Sequence, residues 1–305
     1  MSDLQVCDAA RTAALLPFPA LMQEIARAAE DMTAGLLSAP PRQAVPFPNG
    51  AVMLSMPATA ADVGIHKLVN VAPGNRAHGL PTVNGMVSVY DGDTGRLRLL
   101  LDGPTVTTRR TAAVSMLAVS RLQPGGLRHV AVFGTGTQAT GHVDAVLELY
   151  PDARVDVIGH APGRAEAFAR RFDAGRVRPA DRVDPAAGLV ITATTSAVPV
   201  YDQPARAGRL VIGVGAYRED LAEIGARTLA DSHLYVDDPE GARHEAGDYL
   251  QADVDWSRVR SLAGLLADGP PEGAAVFKSV GCAAWDLAAA RCALHFDHSS
   301  ERNPS

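Results

Sequence analysis

The chain has 305 residues, 47% of them hydrophobic and 20% charged, enough apolar side chains for one large core or two ordinary ones, and its length favours two domains. Its formal net charge is −6 at pH 7 with no block of like charge, which argues against a sequence-independent grip on nucleic acid.

The chain opens with MSDLQV, which has no basic segment, and no stretch is apolar for long enough to cross a bilayer, so a cytoplasmic protein without a membrane partner is expected. Apolar side chains recur at helical spacing after Pro19 and predict a helix over about 20–36. In SAPPRQAVPFPNGAVMLSMPA the prolines and the Asn49-Gly50 pair predict a strand, a hairpin turn and a second strand, with Arg42 near the start of the first. Met53 and Met56 in the second strand are expected in the core.

The next segment, HKLVNVAPGN, sets one lysine in a β-branched run that closes on Pro73 and Gly74, the pattern of a buried strand ending in a turn. An ammonium there is costly unless an anion or a proton-transfer role compensates it. The other reading of Lys67 is a surface lysine snorkelling from an edge strand, and this stretch alone does not choose between them. His66 is expected on the opposite pleat. MVSVYDGDTGRLRLLLDG then predicts two alternating strands about a turn at 91–95, so the chain up to about residue 105 is a mostly antiparallel sheet behind one helix.

From TVTTRRTAAVSMLAVSRL onward, helices and strands alternate. LRHVAVFGTGTQATGHVDAVLELYP predicts strand, glycine turn and helix; ARVDVIG a strand; GRAEAFARRF a helix; and AGLVITATT, GRLVIGVGA and SHLYVDD further strands. This is the pattern of an α/β fold with a parallel, doubly wound sheet. The closing SVGCAAWDLAAARCALHF is expected to be an amphipathic helix returning to the first domain, with 298–305 a frayed tail. Its Cys282 and Cys292, with Cys7, are odd in number and lack CxxC spacing, which suits a reducing compartment better than a disulfide framework or a zinc site.

Within VAVFGTGTQATG, Gly134 and Gly136 follow a strand and open a helix, with Ala139 in the third small position of G-x-G-x-x-G/A and Thr137 and Gln138 between. Gly134 permits the tight turn, and Gly136 lets a pyrophosphate approach the amides at the positive end of the helix. A dinucleotide site is expected there, an ordinary βα turn being the alternative. An acidic residue at the end of the second strand would accept hydrogen bonds from a ribose 2′-hydroxyl. This chain has Gly159, His160 and Ala161 in that place, with Arg164 beyond, so NADP(H) is favoured as the cofactor and NAD(H) remains open. Asp156 would matter only if the strand ended earlier, and His160 is read either as a phosphate contact or as a solvated loop residue. Thr194, Thr195 and Ser196 end a strand on the side where such sheets bind ligands, though a hydroxyl-rich turn is their ordinary explanation.

Together, GIHKLVNVAPGNRAHGLPTVNG, LLLDGPTVTTRRTAA, FGTGTQA, ITATTSAVPV and VFKSVG with WDLAAA resemble, in order and spacing, the ornithine cyclodeaminase and mu-crystallin family over roughly residues 35–292. The resemblance implies a Rossmann-type dinucleotide-binding domain, 113–282, inserted in a mostly antiparallel α+β domain for substrate binding and dimerisation, 1–112 with 283–305. A homodimer is implied as well. It further implies that Arg42, Lys67 and Arg110 hold the carboxylate of a small α-amino or α-imino acid, and that Lys67 also supplies or relays a proton. Such charge-assisted bonds are worth roughly 1.5–3 kcal/mol each. By the same resemblance Thr111 donates to cofactor phosphates from a helix start, with capping as the alternative, while Arg109 is only a neighbour of Arg110. Lys278, matched to the family, is given a cofactor role on the nicotinamide side or a structural one, and Asp286 an inter-domain helix role.

Cyclodeaminases of the family resemble GGD where this chain, counted back from Glu223, has Gly215-Ala216-Tyr217. Tyr217 cannot supply that carboxylate, unless Glu219 or Asp220 reaches in. The runs VMLSMPATAADVGIHKLVNVAPGN and VTTRRTAAVSML look most like bacterial reductases of cyclic ketimines, which take Δ1-pyrroline-2-carboxylate to L-proline and often Δ1-piperideine-2-carboxylate to L-pipecolate. An NAD(P)H-dependent ketimine reductase is therefore expected. Ornithine cyclodeaminase, amino-acid dehydrogenase and a mu-crystallin-like small-molecule binder are the alternatives. Ring size stays open, because one methylene discriminates by only roughly 1–3 kcal/mol.

Overall fold

A computed structural model describes residues 4–301 apart from Pro124 and Ala174, with the backbone only of 298–301, and the chain separates into two compact units: 1–110 with 282–305, and 111–281. The first unit begins with β1 (Gln5–Val6), α1 (Ala9–Ala14), α2 (Phe18–Thr33), β2 (Leu37–Ser38), β3 (Gln43–Pro46), β4 (Val52–Ala60), β5 (Val63–Val71), β6 (Val83–Asp91) and β7 (Leu97–Asp102). These seven strands form one sheet in the order β1-β7-β6-β5-β4-β2, with β3 also on β4. Every pairing is antiparallel except β1 on β7. Helix α2 begins slightly earlier than its periodicity predicts because Pro19 suits a first turn, and it ends just before Gly35, whose φ is 70°. The hairpin between β3 and β4 is the expected one, with Asn49 Oδ1 accepting from the Ala51 N–H at 3.1 Å.

Strand β5 alternates strictly: Val63, Ile65, Lys67 and Val69 are buried, while Gly64, His66, Leu68 and Asn70 on the other face are only partly so. Met56 on β4 and Val87 on β6 stand opposite Lys67, and Met56 is core as expected. Helix α3 (Gly103–Leu122) follows β7 directly, its start capped by Asp102, whose Oδ1 accepts from the Thr105 N–H at 2.8 Å.

The second unit contains β8 (His129–Phe133), α4 (Thr137–Leu149), β9 (Arg154–Ile158), α5 (Arg164–Ala169), β10 (Val177–Pro179), β11 (Leu189–Thr192) and β12 (Leu210–Gly213). It continues with α6 (Ala226–Ala230), β13 (Ser232–Val236), α7 (Pro239–Glu245), α8 (Gly247–Gln251), β14 (Val259–Ser261), α9 (Leu262–Ala267) and β15 (Ala274–Lys278). All eight strands are parallel, in the order β10-β9-β8-β11-β12-β15-β13-β14. The order turns outward in both directions from β8 and β11, which makes their carboxyl ends the switch point where such sheets bind ligands.

The chain closes with α10 (Ala283–Glu301), which packs on α2 and β5 of the first unit. The expected amphipathic pattern is wrong here: residues 283–293 are buried all round, because alanines let this helix sit close against both neighbours. Its Arg291 is neutralised by Asp31 at 2.7 Å and Asp62 at 2.8 Å. The expected frayed tail lies largely outside the described residues, the helical backbone continuing to Glu301. Cys7, Cys282 and Cys292 are buried and unbridged, and among the described residues no helix is long and apolar enough to cross a membrane.

Candidate functional site

Because β5 lies between β4 and β6, Lys67 is not on an edge strand, and its residue is 2% exposed. Its Nζ donates to Asp286 Oδ1 of α10 at 3.0 Å, and Arg110 of α3 brings Nε to 3.4 Å from that same oxygen. Burial pushes the Lys67 ammonium down, Asp286 holds it up, and Arg110 and then Arg42 push it down again, leaving it at about 8. Two cations thus meet one carboxylate, with the charge of Arg42 also felt at Lys67, an excess of positive charge suited to a second, incoming carboxylate. The inter-domain role expected for Asp286 is corrected: its side chain is wholly buried in the first unit, on Lys67 and Arg110. Arg109 points elsewhere, donating from Nε to the Leu16 carbonyl at 2.7 Å and lying 4.0 Å over the Phe18 ring. His66 on the far pleat pairs with Ser55 Oγ at 2.8 Å.

In the second unit, the turn from β8 into α4 needs its glycines for different reasons. Gly134 has φ 111°, and a Cβ there would lie 2.4 Å from the Ala193 carbonyl oxygen. Gly136 caps α4 from extended backbone and has nothing within 4 Å of where a Cβ would stand. The amides of a helix's first turn have no intrahelical acceptor, so Thr137 and Gln138 present donors beside an open approach. Gln138 Oε1 is also buried without a hydrogen-bond partner. The open glycine turn and the first-turn amides fit a dinucleotide pyrophosphate. Helix α4 is fixed from behind by His142, whose Nδ1 donates to the Gln138 carbonyl at 2.7 Å and whose Nε2 accepts from Ser115 Oγ of α3 at 2.9 Å. A carbonyl only accepts, which assigns the ring proton to Nδ1. Burial pushes His142 down to about 4, so it is neutral. Nothing in the sequence singled it out, since one histidine on a helix face has no distinguishing pattern.

After β9 no carboxylate appears. His160 and Arg164 are exposed, and Asp156 lies within the strand, held by Arg178 at 2.6 and 3.3 Å. Three other residues expected at the cofactor have the following surroundings. Thr111 lies in the interior of α3, buried, because that helix begins at Gly103, so it neither starts nor caps a helix. Thr194 gives its hydroxyl to Glu223 Oε1 at 2.8 Å and its amide to the same oxygen, leaving neither donor for a cofactor. Lys278 is fully buried, its Nζ 2.7 Å from Asp248 Oδ2.

Sequence reasoning missed the network these residues form. Glu223 Oε2 accepts from the amides of Gly215 at 2.6 Å and Ala216 at 3.1 Å, while Asp248 Oδ1 accepts from the amides of Glu223 and Ile224 at 2.5 and 2.8 Å. One carboxylate therefore ties together the loops that leave β11 and β12 at the ligand-binding end of the sheet. Tyr217 is exposed, and Asp220, beside the likewise exposed Glu219, is held by Arg218 at 2.8 and 2.9 Å. Among the described residues no cluster of three or more His, Cys, Asp or Glu side chains would hold a metal ion.

The sequence matches the Ornithine cyclodeaminase/mu-crystallin family over residues 4–299. It is 51% identical over 298 residues to a Delta(1)-pyrroline-2-carboxylate/Delta(1)-piperideine-2-carboxylate reductase of Azospirillum brasilense, with 96% of each chain covered. It is 31% identical over 301 residues to the ketimine reductase mu-crystallin of Mus musculus, with 95% of each chain covered. The structure is similar to that of Thermococcus litoralis Delta(1)-pyrroline-2-carboxylate reductase in complex with NADH and L-proline, with a TM-score of 0.85, 25% identity, and 97% and 98% of the two chains covered.

Proposed function

From its place in the ornithine cyclodeaminase/mu-crystallin family, to which this chain belongs, we propose that the protein is an NAD(P)H-dependent reductase of cyclic ketimine carboxylates. It converts Δ1-pyrroline-2-carboxylate to L-proline and, as a second substrate, Δ1-piperideine-2-carboxylate to L-pipecolate. The observation that carries the reading is the buried pair Lys67 and Arg110, drawn to one carboxylate oxygen with the charge of Arg42 added, where a small carboxylate substrate finds both a clamp and a proton. The activity of the relative from Azospirillum brasilense and the proline held by the Thermococcus litoralis enzyme support it.

The reduced dinucleotide, when bound, supplies the hydride. Gly134, Gly136, Thr137 and Gln138 take its pyrophosphate, and His160 with Arg164 favours a 2′-phosphorylated ribose, hence NADPH over NADH. Arg42 and Arg110 fix the substrate carboxylate by charge-assisted bonds, which orients the imine carbon for attack. Lys67, protonated below about pH 8, gives a proton to the imine nitrogen. The imine carbon gains the hydride, the nitrogen gains the proton, and C=N becomes a single bond. Thr111, Thr194 and Lys278 serve the fold around these groups. A cyclodeaminase would need a carboxylate where Tyr217 stands, and Asp220 is occupied by Arg218. The assembly expected is a homodimer, which sedimentation equilibrium checks.

The test is nicotinamide absorbance with NADPH and then NADH, offering Δ1-pyrroline-2-carboxylate, with ornithine and NAD+ run alongside. Rapid loss of absorbance with the imine is expected. Ammonia from ornithine without any response to the imine would replace this reading with the cyclodeaminase one.

A further inference from the structure

The first unit buries a carboxylate that the reductase reading leaves without a task. Asp286 is wholly inaccessible, on a helix whose near neighbours are alanines, and an unsatisfied carboxylate in such surroundings is costly. Two buried carboxylates of the second unit are saturated by hydrogen bonds, while Asp248 leaves its Oδ2 to the Lys278 ammonium alone. Glu223 accepts four hydrogen bonds, two on each oxygen. Asp237 likewise accepts from the Asp238 and Val280 amides on one oxygen, and from Ser279 Oγ and the Gly281 amide on the other. Asp286 differs: Oδ2 has no hydrogen-bond partner, and Oδ1 is shared between the Lys67 ammonium at 3.0 Å and Arg110 Nε at 3.4 Å.

We infer that Asp286 is a positioning residue for the reduction, holding the Lys67 ammonium and the Arg110 guanidinium side by side and in the charged state in which they meet the substrate. The inference rests on the reductase reading. The groups acting on Lys67 are Asp286 from α10, Arg110 from α3 and Arg42 ahead of β3, while β4 and β6 present the uncharged Met56 and Val87. Asp286 is the single anion among them. Without its charge, a desiccated ammonium would face two guanidiniums and release its proton at a lower pH.

Asp286→Asn keeps the shape and removes the charge, and the measurement is kcat/KM against pH beside the native enzyme. The native profile is expected to fall as pH rises through about 8. The alkaline limb of Asp286→Asn is expected to move down by about 1 unit or more, with turnover recovered in part at lower pH and NADPH affinity, read by fluorescence titration, unchanged. The pH dependence of L-proline binding, followed by calorimetry, should shift in parallel, a readout independent of turnover. If Asp286→Asn does not fold, Asp286→Glu replaces it: a limb still near 8 with turnover reduced at least several-fold is expected, and native turnover would overturn the inference. Native enzyme that turns the imine over, with an unmoved limb in a folded Asp286→Asn, overturns the role of Asp286 alone. Native enzyme silent with the imine overturns the reductase reading itself.

Discussion

A lysine in the core of a sheet has to be kept charged, and a carboxylate-binding arginine has to be kept still. In the proposed site both tasks fall on side chains that meet from a strand and two helices. Arg110→Lys keeps the charge and loses the fork, so one charge-assisted bond of roughly 1.5–3 kcal/mol is at stake and kcat/KM should drop about 10- to 100-fold. Lys67→Ala should cost more, again with NADPH binding near normal; native-like turnover in either variant would remove that residue from the site. His142 gives a separate prediction. Its folded value is about 4 against an ordinary 6.5, so the unfolded chain takes the proton first, and stability falls as pH drops from about 6.5 to about 4. Denaturant melts across that window should show the fall, and His142→Gln should flatten it. Lys67, Arg42 and Arg110 were drawn together by the family resemblance because each sits in a local motif, and the structure sets Lys67 and Arg110 on one carboxylate. Asp286 was not drawn in with them, since its partner lies 219 positions away and a single Asp among alanines looks like any polar residue on a helix.

At the level of elements, the glycine turn into α4 was legible in full, because its requirement is local backbone geometry. Gly134→Ala puts a Cβ 2.4 Å from a carbonyl oxygen at φ 111° and should reduce NADPH affinity more than tenfold while costing about 1–3 kcal/mol of stability. Fluorescence titration and thermal melts read the two effects separately. Glu223→Gln aims an amide NH2 at backbone donors, each unsatisfied group costing about 1–3 kcal/mol, so the loops after β11 and β12 should loosen. Faster amide exchange at Thr194, Gly215 and Ala216 is the expected signature, and unchanged protection would count against the tie. The strands β10 and β14 escaped the sequence reading because each is only three residues long, too short for a period to declare itself. The surroundings of α10 escaped for another reason: alanine is compatible with exposure and with close packing alike, so periodicity could not reveal a helix buried on every side.

For the whole molecule, the pattern change from antiparallel to alternating β and α was visible in the sequence, because hydrophobic period reports sheet type directly. The first unit is made of two distant stretches of chain. Its core face on β5 and α2 is closed by α10, so removing residues 282–305 should leave that unit unable to fold, with loss of its near-native dichroism and precipitation on expression. Binding is read at this scale too. NADPH at about 100 times its Kd should add roughly 2.7 kcal/mol to apparent stability, seen as a raised Tm, and an equal rise with NADH would refute the preference drawn from His160 and Arg164. The location of Asp286 has a consequence for biogenesis. A ribosome delivers Lys67 and Arg110 first, then all of 111–281, and only afterwards the anion that they share. Until then the nascent β5 carries an ammonium that cannot enter a dry core without its counter-ion, so the first unit to be started is the last to be finished.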